Sequence, residues 1–146
     1  MNKRIRFNYA DRKLNLSHKE HTKRVIELLF KKERLSLESL NYVFCSDDYL
    51  LKINQSFLKH NYFTDIITFD LSEPEQKSVQ GEIYISIDRI KDNAQKLKNT
   101  FQDEALRVIF HGALHLCGHK DKSKEQQMTM RKLEDKYIKL WNKGFT

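Results

Sequence analysis

From Leu106 to Cys117 the chain is apolar on nearly every side of a would-be helix: Val108, Ile109, Phe110, Ala113, Leu114 and Leu116 leave it little solvent face. A helix of that kind is a core element that the rest of the fold must wrap. Thr100, with Asp103 three residues on, supplies a box-like start, and Gly118 supplies a C-terminal stop. Inside this apolar run stand His111 and His115, four residues apart and therefore one turn apart on one helix face. Histidine makes up 6 of the 146 residues, so the spacing alone decides little. The surroundings decide more, because a buried polar group without a partner costs about 1–3 kcal/mol. A metal ion would satisfy both rings together and keep them neutral, which is how helical zinc sites are built.

Ser123, with Gln126 in the third position of a second capping box, opens the next helix. Residues 119–122 are thus a short turn, and a third ligand is expected from it. His119 and Asp121 are the candidates. On a straight helix His119 would lie eight residues beyond His111, about 12 Å along the axis at 1.5 Å per residue. Asp121 sits later in the turn, where the chain has room to fold back. The geometry favours Asp121 and leaves His119 open. Cys117 also lies near, although a small core residue is the simpler reading of it.

HGALHLCG, residues 111–118, resembles the HGxLHLxG signature of the YbeY family of bacterial metal-dependent endoribonucleases. Two further segments agree in order and spacing. Ile53-Asn54 followed by Thr64-Asp65-Ile-Ile-Thr-Phe69 resembles that family's IN…PTDVLSF stretch, and Gly81-Glu82-Ile83-Tyr-Ile-Ser86 resembles its GDIxIS stretch. The resemblance runs from about residue 40 to the end and is weaker before that. It implies a third ligand six residues after the second motif histidine, where this chain has Asp121 in place of the family's His. His119 stands where the family usually has Tyr. A carboxylate in place of an imidazole keeps zinc feasible and moves preference slightly toward manganese, iron or nickel. Leu58 stands where the family often has an Arg that holds the substrate phosphate; the neighbours Lys59 and His60 offer a replacement charge. Phe63 replaces a Pro, and Glu82 replaces an Asp.

The hydrophobic periodicity supplies the fold class. Residues 3–9 alternate, with Ile5, Phe7 and Tyr9 on one face of a half-buried strand. Ser17 and Glu20 read as the cap of a helix to about Arg34, with Val25, Ile26, Leu29 and Phe30 as its stripe. Residues 39–45 read as a more buried strand, and Asp47 or Asp48 as the cap of a helix turning Leu50, Ile53 and Phe57 inward. Strands at 65–71 and 82–87 follow, then a helix with Ile90, Ala94 and Leu97 inward, the histidine helix, and a last helix over 123–141 burying Met130, Leu133, Tyr137 and Trp141. The order βαβαββααα predicts an α+β fold, one domain over residues 1–146: a mixed four-stranded sheet, part parallel with right-handed crossover and part antiparallel, packed with about five helices. The family fold implied by the resemblance is of the same kind.

Composition narrows the function classes. One Pro and four Gly argue against long disordered segments. Two cysteines, Cys45 and Cys117, are too few for a disulfide scaffold and suit a reducing, cytoplasmic setting. The basic start lacks the apolar run of a signal peptide, and no stretch approaches the roughly 20 apolar residues of a membrane span. The net charge of +7 suggests a polyanionic partner, usually nucleic acid. The first helix, with Lys19, Lys23, Arg24, Lys31, Lys32 and Arg34, is the expected RNA-facing surface.

Three protein ligands leave a fourth position for water, the mark of catalytic rather than structural zinc. The ion would lower that water's pKa from about 15.7 toward about 7 and polarise a phosphoryl oxygen. A zinc peptidase of the HExxH kind shares the histidine spacing but needs Glu after the first His as general base. This chain has Gly112 there, which argues firmly against proteolysis. Asp65, Glu82 and Lys59 are the expected auxiliary groups, the two acids as possible bases. A silent RNA- or ribosome-binding protein with a structural metal is the rival from another class. The resemblance implies a metal-dependent, single-strand-specific endoribonuclease, one zinc per chain, acting on ribosomal RNA precursors. Its task would be maturation of the small-subunit 3′ end and ribosome quality control, with the ribosome as partner.

Overall fold

The computed structural model of the chain describes residues 3–144. Its elements are β1 (Ile5–Tyr9), α1 (Lys19–Lys32), β2 (Ser36–Cys45), α2 (Asp47–Leu58), β3 (Ile66–Asp70), β4 (Ser78–Ser86), α3 (Ile87–Lys96), α4 (Phe101–Leu116) and α5 (Lys124–Lys143). The sheet order is β1-β2-β4-β3. β1 pairs with β2, and β2 with β4, in parallel; β3 pairs with β4 antiparallel. The expected mixed α+β architecture and element order are those observed.

The alternation of β4 divides the molecule. Ile83 and Ile85 are fully buried in the main core, together with Ile109, Phe110 and Leu114 of α4. On the opposite sheet face Tyr84 joins a smaller cluster of Cys45, Leu50 and Ile67 under α2. Helix α4 lies close against its sheet face because Gly112 has no side chain. A Cβ there would stand 2.9 Å from the Cδ1 atoms of both Ile66 and Ile83. The Tyr42 hydroxyl of β2 donates to the Ile109 carbonyl at 2.8 Å, fastening the same helix to the sheet. Helix α5 then covers α4 and α1, and the Trp141 indole N–H donates to Thr22 Oγ1 at 2.9 Å.

Several local expectations are corrected. Helix α1 begins at Lys19 with His18 as its N-cap, in the left-handed region and without a side-chain cap bond; Ser17 does not cap it. Glu20 instead pairs with Lys23. Ser46, not Asp47 or Asp48, caps α2, accepting from the Tyr49 N–H at 3.1 Å. Asp47 is thereby free to accept from Ser86 Oγ at 2.7 Å and to pair with Arg89 at 2.8 Å, joining α2 to α3. Tyr9, Phe57 and Leu97 point outward, 41%, 68% and 61% exposed, because each ends its element beyond the reach of the core. The lysines of α1 are partly spent on packing: Lys19 lies over the Tyr9 ring and Lys23 over Phe7. Among the described residues no helix is long and apolar enough to cross a membrane.

Two outcomes are expected. Gly112→Val should cost about 2 kcal/mol by overpacking against Ile66 and Ile83, read as a lower urea midpoint. The Arg89 guanidinium, helped by the Ser86 hydroxyl, holds the Asp47 carboxyl below its ordinary 3.8 against the opposing effect of burial. A depressed carboxyl stabilises the fold above its unfolded value and stops doing so as pH falls through the folded one. The melting difference between wild type and Asp47→Asn should therefore be full at neutral pH and shrink below about pH 4.

Candidate metal centre

Helix α4 carries one polar line through its apolar surface. Glu104, Arg107, His111 and His115 follow one another at three- and four-residue steps, so they share a face. Arg107 meets two carboxylates of α5, with Nη1 on Glu134 at 2.9 Å and Nη2 on Asp135 at 2.6 Å. Glu134 is buried, and its second oxygen accepts from His111 Nδ1 at 2.6 Å. His115 Nδ1 lies 2.9 Å from the His119 carbonyl, which can only accept. Each Nδ1 must then carry its proton, and in the neutral ring the lone pair falls on Nε2.

Those two Nε2 atoms face each other at 2.9 Å. Asp121 Oδ2 completes a triangle, 3.2 Å from His111 Nε2 and 3.4 Å from His115 Nε2. Gly118, at φ +99°, turns the chain out of α4, and the capping box of Ser123 and Gln126 starts α5, so Asp121 is returned to the pair by a turn fixed at both ends. Two lone pairs and a carboxylate oxygen converging in this way repel one another unless a cation or a proton lies among them. His111, His115 and Asp121 form a group whose donor atoms all lie within 4.8 Å of one another, and it could hold a metal ion. Burial pulls the His111 pKa down, but the hydrogen bond to Glu134 and the charges of Glu134, Asp121 and Asp65 outweigh it and hold it above 6.5.

The other candidates fall elsewhere. His119 does not turn to the pair; its ring meets Glu33, and only its carbonyl serves the site. Cys117 packs against the core outside the triangle. Asp65 stands just before β3, where its charge acts on His111 and its backbone carbonyl accepts from the Ser86 N–H at 3.0 Å. Glu82 is on the wrong side of the sheet: it alternates with Ile83, which packs under Gly112, and its carboxylate takes the Tyr84 hydroxyl instead. Lys59 ends α2 in the left-handed region with an exposed side chain, and no hydrogen bond or ion pair joins it to the triangle. Glu104 is buried with Oε1 unpartnered, and burial pushes its carboxyl upward.

The chain as a whole has known relatives. The profile of the family described as endoribonuclease YbeY matches residues 4–142. The chain belongs to the YbeY family. Endoribonuclease YbeY of Cytophaga hutchinsonii is 47% identical over 136 residues, covering 93% of this chain and 94% of the relative. That of Flavobacterium psychrophilum is 41% identical over 140 residues, covering 94% and 96%. A Thermotoga maritima protein of known solution structure is 31% identical, with a TM-score of 0.65 over 96% of this chain and 93% of its own. Leu58 lies at the exposed end of α2.

Glu134 and Arg107 were absent from the sequence-based candidates. Met130, Glu134, Tyr137 and Trp141 follow at helical spacing and are all buried. An acid in the middle of such a stripe demands a partner, and that was the available signal. Glu134→Gln should weaken divalent-cation binding about 10–100-fold, because the outer partner fixes the ring that presents Nε2. Calorimetric titration with the metal alone reads this directly. Unchanged affinity would show that helix packing alone sets the ring.

Proposed function

We propose that His111, His115 and Asp121 hold one divalent cation, zinc in the first instance, and that the chain uses it to cut single-stranded RNA. As a member of the YbeY family the chain is an endoribonuclease, a hydrolase of RNA phosphodiester bonds. What carries the metal reading is the pair of Nδ1 anchors. With Glu134 and the His119 carbonyl each accepting a hydrogen bond from an Nδ1–H, both Nε2 atoms are directed at the same point as Asp121 Oδ2.

A bound divalent cation supplies a water of lowered pKa and neutralises charge on a phosphoryl oxygen. The chain's own residues do the rest. Arg107 and Glu134 keep the His111 ring in place from behind. Asp65 stands near enough for its charge to be felt at His111 and is the remaining candidate for accepting a proton at its carboxylate. Gly112 brings no side chain, so the general base of an HExxH peptidase is missing and the reading as a peptidase fails on chemistry. The surplus of basic residues, 27 Lys and Arg against 20 Asp and Glu, favours a polyanionic substrate.

The proposed task is processing of ribosomal RNA precursors at the small-subunit 3′ end, with quality control of ribosomes beside it, in the cytoplasm. Both cysteines are free thiols, which suits a reducing compartment.

A nuclease assay on single-stranded RNA tests the reading. Cleavage is expected from the metal-loaded protein, with loss on chelation and a fall of at least about a hundredfold in His115→Ala. Stoichiometric metal without cleavage would leave a silent RNA-binding protein in its place.

A further inference from the structure

The segment between α2 and β3 exposes aromatic side chains that the core does not use. Tyr62 is 57% exposed and Phe63 52% exposed. The His60 and Tyr62 rings are stacked, 5.1 Å apart and 20° from parallel, with the Tyr62 hydroxyl 3.0 Å from His60 Nδ1. The Arg89 guanidinium lies 5.9 Å from the centre of the Phe63 ring, and Asp47 holds it there. The segment is tied down by Asn54, itself buried, which donates to the Tyr62 carbonyl at 2.9 Å and accepts from the His60 N–H at 3.1 Å. Rings displayed outward on a backbone anchored in this way are pre-ordered for a flat partner.

The segment also leads into the metal centre. Beyond Phe63 the chain passes through Thr64 to Asp65, whose charge acts on His111, and then to Ile66, which packs under Gly112. Aromatic faces that follow the exposed Lys59 in the chain match what a single strand presents, bases with π-faces joined by phosphates; Arg89, paired with Asp47 and Asp92, orders the Phe63 ring rather than meeting a phosphate. The net charge of +7 favours the same ligand over an acidic-poor protein surface. We propose that the His60–Tyr62 stack and Phe63 form a base-stacking platform that holds single-stranded RNA beside the triangle of His111, His115 and Asp121. This rests on the reading of that triangle as an RNA-cutting centre. The platform binds bases by their faces, so it is tolerant of sequence and unsuited to duplex, whose bases are already stacked.

The test measures binding by fluorescence anisotropy, with His115→Ala in every protein so that the strand stays whole. One probe is a short labelled single-stranded RNA, and the other is the same backbone with abasic sugars. Tyr62→Ala and Phe63→Ala are each expected to weaken binding of the RNA about tenfold and to leave the weak binding of the abasic strand unchanged. Tyr62→Phe and Phe63→Tyr should bind like the parent, and the salt dependence should be the same in all, since no phosphate contact is removed. Wild-type affinity for both probes in the two alanine variants, with melting curves unchanged, would overturn the platform. If the wild-type chain cuts no RNA with any cation and yet Tyr62→Ala weakens only the base-bearing strand, the platform stands and the cutting reading falls. If the wild-type chain cuts RNA and the alanine variants bind both probes as the His115→Ala parent does, the platform falls alone.

Discussion

The hydrogen bonds on the far sides of two imidazole rings fix how His111 and His115 face Asp121. Helix α4 is wrapped by the sheet on one side and α5 on the other, so a half-buried ring on it gains from a partner inside the protein. Glu134 and the His119 carbonyl meet that need at Nδ1 and leave both Nε2 atoms without an ordinary protein donor. The triangle with Asp121 is the remainder of that satisfaction. Arg107 closes the arrangement by pairing with Glu134 and Asp135 together, so the buried carboxylate keeps its charge compensated.

The fold serves the arrangement at two points. The first is the near contact of α4 with β3 and β4 at Gly112, which brings the start of β3 beside His111. The second is the turn between α4 and α5. A left-handed glycine closes one helix, a reciprocal cap opens the next, and the residues between have little freedom left. That economy lets a chain of 146 residues return Asp121 to the pair without a further loop.

Most of the architecture was legible because its signals were local. The apolar helix, its Thr100 start and the Ser123 box were all readable at short range, and the strands alternated as half-buried strands do. Misreadings occurred where neighbouring residues compete for one role or where an element outruns its cover. Ser46 and Asp47 are both good caps, and the positions of Arg89 and Ser86 engage Asp47 elsewhere. Phe57 and Leu97 keep the helical spacing of their stripes but lie at helix ends beyond the main core, where they stay largely exposed although Phe57 meets the Phe69 ring edge-on. The site divides in the same way. His111, His115 and Asp121 are close in sequence and were found together, whereas Glu134 lies on another helix within a run of charged residues. Glu82 stands on the sheet face away from α4 because side chains alternate along β4 and Ile83 and Ile85 fill the core side.

The two rings take their orientation entirely from groups of the protein itself, and the core around them is extensive. Small zinc modules collapse when stripped, because the ion is their core. This chain carries an extensive core of its own, so an ion held at the triangle would add stability by mass action rather than supply the core. Which element such a triangle would hold would then follow from cellular supply and the order of intrinsic affinities more than from any rebuilding of the protein.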